Sequence, residues 1–304
     1  MAAPWPCRHM AAEKEDMSRM LYGRFFRQAL TERVFCSRTY SVVFLQGVIL
    51  YLYMRPVVRA SKDMECGASP WVFPFLSSNL FFLLLFMVGI VYSFSDVPFM
   101  QNKNMYQVIR TGRMRWAAGQ ISVIFAQAFL LMAVNALFPM LLLAGSCEYT
   151  LEWGKLYHTL ALTGGSEAYR LLFAFSYEAM QRFSPLELLG LTVLIGTLVI
   201  AFVGLLMFAV SLYINRSVAV TLAFLMVVMI YLVENIHPLL RRGTAMFVPV
   251  NWMRVTQIGS KMHDSFMQPS VVYMLAALAV GITVCAGLIC IKIKTMEFQW
   301  YKEE

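Results

Sequence analysis

Long uncharged apolar runs alternate with short stretches that carry the Lys, Arg and Pro residues. Six runs stand out, near residues 40–54, 71–94, 121–144, 188–214, 218–233 and 271–291. A helix needs about 20 apolar residues to cross the hydrocarbon core of a bilayer. The second, third, fourth and sixth runs meet that length. The first and fifth are short, and Arg38 and Arg55 beside the first can snorkel outward to lengthen it. The pattern predicts an all-α polytopic transmembrane helical bundle of about six spans. Ahead of it, residues 17–38 have helical periodicity. Leu21, Tyr22, Phe25, Phe26, Ala29 and Leu30 share one face, and Arg24, Arg27, Gln28 and Thr31 share the other. Glu32 and Arg33 interrupt this pattern. An amphipathic helix lying in the membrane surface is predicted, although a basic flank before the first span would read the same way. Residues 1–16 lack the periodicity and are expected to form a flexible N-terminus. Residues 39–294 form the transmembrane domain, and 295–304 a tail.

A few polar side chains interrupt the spans. Gln46, Asn79, Gln127 and Asn135 can hydrogen-bond between helices or face a substrate path. Packing is the expectation for each taken singly, with Asn79, Gln127 and Asn135 the candidates to line a cavity. In the sixth run Ala277, Gly281 and Cys285 place a small residue at every fourth position, which favours close helix approach.

Composition agrees with the pattern. The chain is 60% hydrophobic and 14% charged, against about 25% charged in soluble domains. The net charge of +8 sits beside the apolar runs, where it suits lipid headgroups better than nucleic acid. With the N-terminus inside, the inner segments hold 15 of the 25 Lys and Arg residues and the outer ones 10. Both termini are therefore expected in the cytoplasm, with the chain in the cell membrane. Two segments, 145–187 and 234–269, are too long for simple outer turns. They contain apolar stretches suited to the interface or to partial entry into the bilayer, and residues 168–183 leave room for an additional short crossing.

The chain carries little recognisable chemistry of its own. It has no phosphate-binding G-x-x-x-x-G-K-[ST], no H-E-x-x-H and no G-x-S-x-G. The six cysteines include no C-x-x-C, and the four histidines are scattered. Cys66 and Cys147 fall in outer loops, where their pairing is not readable. No catalytic, metal or cofactor site is predicted. The apolar runs hold almost no ionisable residue, and Glu187 and Glu234 stand at span ends. A proton- or sodium-driven carrier more often has an acid at mid-membrane.

The segment after the second run is the most patterned. Asp96 and Pro98 mark a turn, Met105 to Arg110 suit one or two helical turns with Tyr106 and Arg110 on one face, and Gly112 allows a reversal. Arg113, Arg115 and Trp116 then suit the inner interface. The wording D-x-P-F…Y-Q-x-x-R-x-G-R-x-x-W, the Phe183-Ser184-Pro185-Leu186-Glu187 entry to the fourth run and the six-span plan resemble the membrane subunits of bacterial type-2 ATP-binding-cassette (ABC) exporters. The resemblance covers about residues 17–294 and is architectural more than motif-based.

It implies a permease subunit that works by alternating access, as a homodimer or with a similar permease. ATP would be bound and hydrolysed by a separate ATPase subunit. A coupling loop would comprise Tyr106, Gln107, Arg110, Gly112 and Arg113. Arg24, Arg27, Arg38, Arg115 and Trp116 would be interfacial anchors, and Val248 to Ile258 would match the family's re-entrant segment. The cargo, whether peptide, drug or lipid-like, is not readable. The alternatives are a secondary carrier and a membrane assembly protein that transports nothing.

Overall fold

The computed structural model describes residues 23–96, 111–146, 148, 150–163, 168–262, 265–266 and 268–295. It is an all-α polytopic bundle. Helix α1 covers residues 23–34, and α2 spans Ser37–Asp63, α3 Phe73–Ser78, α4 Leu80–Phe94 and α5 Arg113–Leu143. Two short helices follow, α6 (Gly154–Leu162) and α7 (Tyr177–Arg182). Then come α8 (Pro185–Tyr213), α9 (Arg216–Asn235), α10 (Pro238–Phe247) and α11 (Val271–Thr295). The strand content among the described residues is one two-residue antiparallel pair, Lys261–Met262 with Ser265–Phe266.

Helices α2, α5, α8, α9 and α11 are each long and apolar enough to cross a membrane. The expected second span differs, because it is not one helix. Its first part is α3, its second is α4, and Asn79 between them is extended (φ −73°, ψ 131°). The 15 residues of α4 reach about 22 Å at 1.5 Å per residue, short of a hydrocarbon core about 30 Å thick. With α3 the pass is complete, so the chain runs between the two ends of the bundle six times. The first span is longer than its uncharged run. It continues through Arg55, Pro56 and Arg59 to Asp63, because a helix must satisfy its backbone wherever bilayer surrounds it.

Helix α8 is the hub. Of its apolar stretch, 61% is buried inside the fold, against 22% for α11 and 28% for α9. It packs on α5, α9 and α11, while α2 packs on α4 and α5. Gly281 on α11 lets the Phe202 ring of α8 approach so closely that a Cβ there would clash, and Cys285 one turn on is buried. The small-residue spacing therefore serves helix contact. The outer faces of α2, α9 and α11 present Phe44, Leu225 and Val272, as lipid-facing surfaces should.

The near end of the bundle gathers α1, the start of α2, the end of α4, the start of α5 and the end of α11. Phe25 and Ala29 of α1 are buried, and the Phe25 ring lies against Gly119 of α5. Arg33 interrupts the amphipathic pattern because it turns inward, where its Nη2 donates to Gln120 Oε1 at 2.8 Å. Burial holds that guanidinium down to about 10. The far end is a cap made of α3, α6, α7, α10 and the irregular segment 248–260. Residues 169–183 hold one helix, the six-residue α7, so they join this cap and do not cross. Trp153, Leu156, Tyr157, Phe173 and Phe175 are buried in it, and Phe75 of α3 meets both Trp153 and Phe175 edge-on.

Candidate functional site

The far end holds a polar cluster where the second pass breaks. Asn79 makes the break stable by serving both helices. Its Oδ1 accepts from Phe82 N at 3.0 Å, capping α4. It also accepts from Tyr53 Oη of α2 at 3.3 Å, and Nδ2 donates to Leu172 O at 2.9 Å. At the end of α3, Ser78 O accepts from Arg254 Nε at 2.8 Å. A cation thus meets the carbonyl end of a helix, the favourable sign. Arg254 Nη1 also donates to Glu234 Oε2 of α9, and Arg241 Nη2 of α10 donates to the same oxygen at 2.6 Å. Arg254 is buried to 6% exposure.

The segment that delivers Arg254 is folded into the bundle. Val250, Asn251, Trp252, Met253, Val255 and Thr256 are buried, and the turn 249–253 packs on α8, α9 and α11. Trp252 Nε1 donates to Ala245 O at 2.7 Å, and Gln268 Nε2 to Asn251 O at 3.1 Å. The sequence reading placed Glu234 at a solvated span end. It does stand at the end of α9 and is partly exposed, but two guanidiniums share its carboxylate.

Three cavities open at this end, one of them, about 450 Å3, between Met246, Ile258 and the start of α11 at Val271 and Tyr273. Another, about 810 Å3, is lined by Glu65, Glu148, Glu152, Lys155 and His158 among others. The third, about 410 Å3, lies at the helix break. Phe75, Phe81, Phe173 and Phe175 give it apolar walls, and Ser78, Asn79, Ser176, Arg254, Thr256, Gln257 and Ser260 supply polar groups. Among the described residues, no group of three or more His, Cys, Asp or Glu is placed to hold a metal.

The candidate residues separate. Asn79 lines the smallest of the three cavities. Gln127 and Asn135 are not among the residues that line these cavities; they pack, as expected for each taken singly. They are buried to 2% in a network joining α2, α4 and α5: Asn135 Nδ2 donates to Gln46 Oε1 at 2.8 Å, Gln46 Nε2 to Phe86 O at 3.3 Å, and Gln127 Nε2 to Ser93 Oγ at 3.1 Å. The expectation for Trp116 is corrected. It is fully buried, edge-on to Phe208 of α8 at 6.2 Å, and is not exposed to headgroups. Its large ring fills the space where α5 meets the hub. Arg24, Arg27 and Arg115 are exposed at the near end.

Tyr106, Gln107 and Arg110 lie outside the described residues, and so does the body of the loop after α4. Its two roots are described. On one side Asp96 pairs with Arg38 of α2 at 2.5 Å and with Arg216 of α9 at 3.0 Å. Arg38 also donates to Ser95 Oγ at 2.9 Å and lies over the Tyr92 ring. On the other side Gly112 has φ 85°, which an L side chain resists, and turns the chain into α5. Arg113 Nη1 there donates to Lys294 O of α11 at 3.3 Å. At the far end Ala68 N donates to Ser146 O at 2.9 Å and Ala68 O accepts from Glu148 N at 3.1 Å. The segments bearing Cys66 and Cys147 thus run side by side, with Cys147 itself outside the described residues.

Sequence reasoning missed Arg254, Arg241 and the double role of Asn79. The one local signal was Asn79 itself, a strong helix cap within an apolar run. No protein-family model matches the chain, and no curated protein or solved structure matches it.

Proposed function

We propose that this chain is the permease subunit of an ATP-driven exporter, with hydrolysis on a separate ATPase subunit and a second copy or a similar permease completing the pore. The near end is then cytoplasmic, with both termini on that side of the cell membrane. The observation that carries the reading is the anchoring of the loop between α4 and α5. One root is ion-paired to α2 and α9 through Asp96, and the other is bonded to α11 through Arg113. Force on that loop would reach three spans directly and α8 through its packing on α9 and α11. That connection is what a subunit lacking its own ATPase needs, because its energy must enter through a surface contact. A carrier driven by protons would call instead for a carboxylate poised to exchange them, whereas Glu234 accepts from two guanidiniums.

Co-purification from mild detergent tests the reading. The expected outcome is a bound subunit with a phosphate-binding loop, whose hydrolysis the membrane subunit alters. Tyr106→Ala with Arg110→Ala should leave insertion intact and abolish that association, since aromatic and Arg anchors commonly carry about 1 to 4 kcal/mol of an interface. Normal association and hydrolysis in the double variant would remove the loop from the mechanism.

A further inference from the structure

The cavity at the helix break has a one-sided chemistry. Its apolar walls come from four phenylalanines, three of them, Phe75, Phe173 and Phe175, nearly fully buried. Its polar wall carries hydroxyls from Ser78, Ser176, Thr256 and Ser260, the Gln257 amide and one charged group, Arg254. No carboxylate lines it among the described residues. The largest of the three cavities differs in sign, with three glutamates. Arg254 commits its Nε to Ser78 O and its Nη1 to Glu234. A guanidinium has five N–H donors, so Nη2 still has donors for a further acceptor. The start of α4, at Leu80 and Phe81, borders the same space and adds partial positive charge.

Depth fixes the setting. Asn79 lies 17 residues before Asp96 in the second pass, about 25 Å along a helical path from the near interface. That places the cavity in the far third of a hydrocarbon core about 30 Å thick. A volume near 410 Å3 is within the range of small-molecule sites, about 300 to 1,000 Å3. It admits a headgroup and the start of a chain, with the remainder left against the exposed Phe81 and Leu172.

We infer that this cavity is a binding site for a single-chain amphipath with a phosphate or carboxylate head, the head against Arg254 and the hydroxyls and the apolar stem against the phenylalanines. It names the cargo class, or a lipid held at the exit, for the exporter proposed above, and rests on that reading only for this role. Binding itself needs no ATPase.

The test uses the purified full chain in nanodiscs of a zwitterionic lipid. Labelled lysophosphatidic acid is the probe, with a monoacylglycerol of the same chain as neutral comparator and inorganic phosphate as competitor. The expected result is saturable binding at least tenfold tighter for the phosphate amphipath than for the neutral one. Displacement by inorganic phosphate at millimolar concentration would assign the selectivity to the head alone; no displacement would show that the site requires the lipid-like stem. Either outcome is consistent with the anionic amphipath, provided the neutral one binds weakly. Arg254→Gln removes one of the two guanidiniums on Glu234 and a charged donor to Ser78 O and risks unfolding, so Ser260→Trp, which fills the cavity away from the ion pairs, is the deciding variant. It should lower affinity at least tenfold with an unchanged melting temperature. Equal affinity for charged and neutral amphipaths, or full affinity in a folded Ser260→Trp protein, overturns the assignment. A chain that binds the probe yet associates with no ATPase would sink the exporter reading and leave the site. The reverse result would sink the site alone.

Discussion

Single side chains in this bundle matter through what their removal strands. Asn135 and Gln46 are bonded to each other in a dry interior. Asn135→Ala leaves the Gln46 acceptor without its donor and should destabilise the chain by about 1 to 3 kcal/mol. Replacing both residues by Leu removes the need along with the partner, and that double variant should lie closer to the parent than the single one. Melting curves in one detergent compare the three, and strict additivity would show that the two side chains do not act as a pair. Glu234 presents the same logic with charge. Glu234→Gln deprives Arg241 and Arg254 of the carboxylate they share. The carboxylate is partly exposed while the guanidiniums are buried, so the expected loss is about 1 to 3 kcal/mol, below that of a fully buried pair. A variant as stable as the parent would mean that water or lipid solvates the guanidiniums. Legibility at this scale followed exposure. Arg24 and Arg27 could be placed from helical periodicity, because an exposed cation needs only a polar face. Trp116 could not, because a ring beside two arginines at a span end reads as a headgroup anchor until a neighbour such as Phe208 is known to cover it.

At the scale of elements, the broken second pass and the roots of the α4–α5 loop carry the interest. Asn79 is extended between two helices and caps one of them, so Asn79→Ala should cost about 1 kcal/mol for the cap and loosen Leu172 on the cap segment. Faster proteolysis or hydrogen exchange around 168–176, with the rest of the bundle unchanged, is the expected readout. Asp96 offers a cleaner separation of roles. It and its partners Arg38 and Arg216 are partly exposed, and exposed ion pairs contribute about 0 to 1 kcal/mol. Asp96→Asn should therefore leave the melting temperature nearly unchanged. If the loop transmits force, the same variant should still bind its ATPase and lose most of the stimulated hydrolysis. Unaltered hydrolysis would reduce Asp96 to a surface ion pair. Apolar length and fencing charges are local, so the spans were readable. The break was not, because Ser77, Ser78 and Asn79 are a short uncharged interruption that a spanning helix tolerates, and only the docking of Arg254 on Ser78 O makes an early helix end favourable.

For the whole molecule, the near end collects residues 24–39, 95–96, 111–120, 213–216 and 290–295, joined by the bonds of Arg33, Asp96 and Arg113. Single cysteines placed at Arg24 and Lys294 in a cysteine-free background should react with an impermeant reagent from one side of the membrane. A cysteine at Leu162 should react from the other. Labelling of all three from one side would contradict the six-pass path. By itself the sequence determined that the chain is a helical membrane bundle, roughly where its spans lie, and that its charge favours one orientation. Those properties depend on local apolar length and on charge beside it, both of which a bilayer reads without reference to the rest of the fold. Only the tertiary structure decided that Gln127 and Asn135 pack while Asn79 lines a cavity, that segment 248–258 enters the bundle, and that Glu234 is held by Arg241 and Arg254. Glu234 and Arg254 stand 20 positions apart, and Ser78 and Arg254 stand 176 apart. Contacts at such separations are fixed by helices packing on α8, and no periodicity in the chain encodes which side chains that packing brings together.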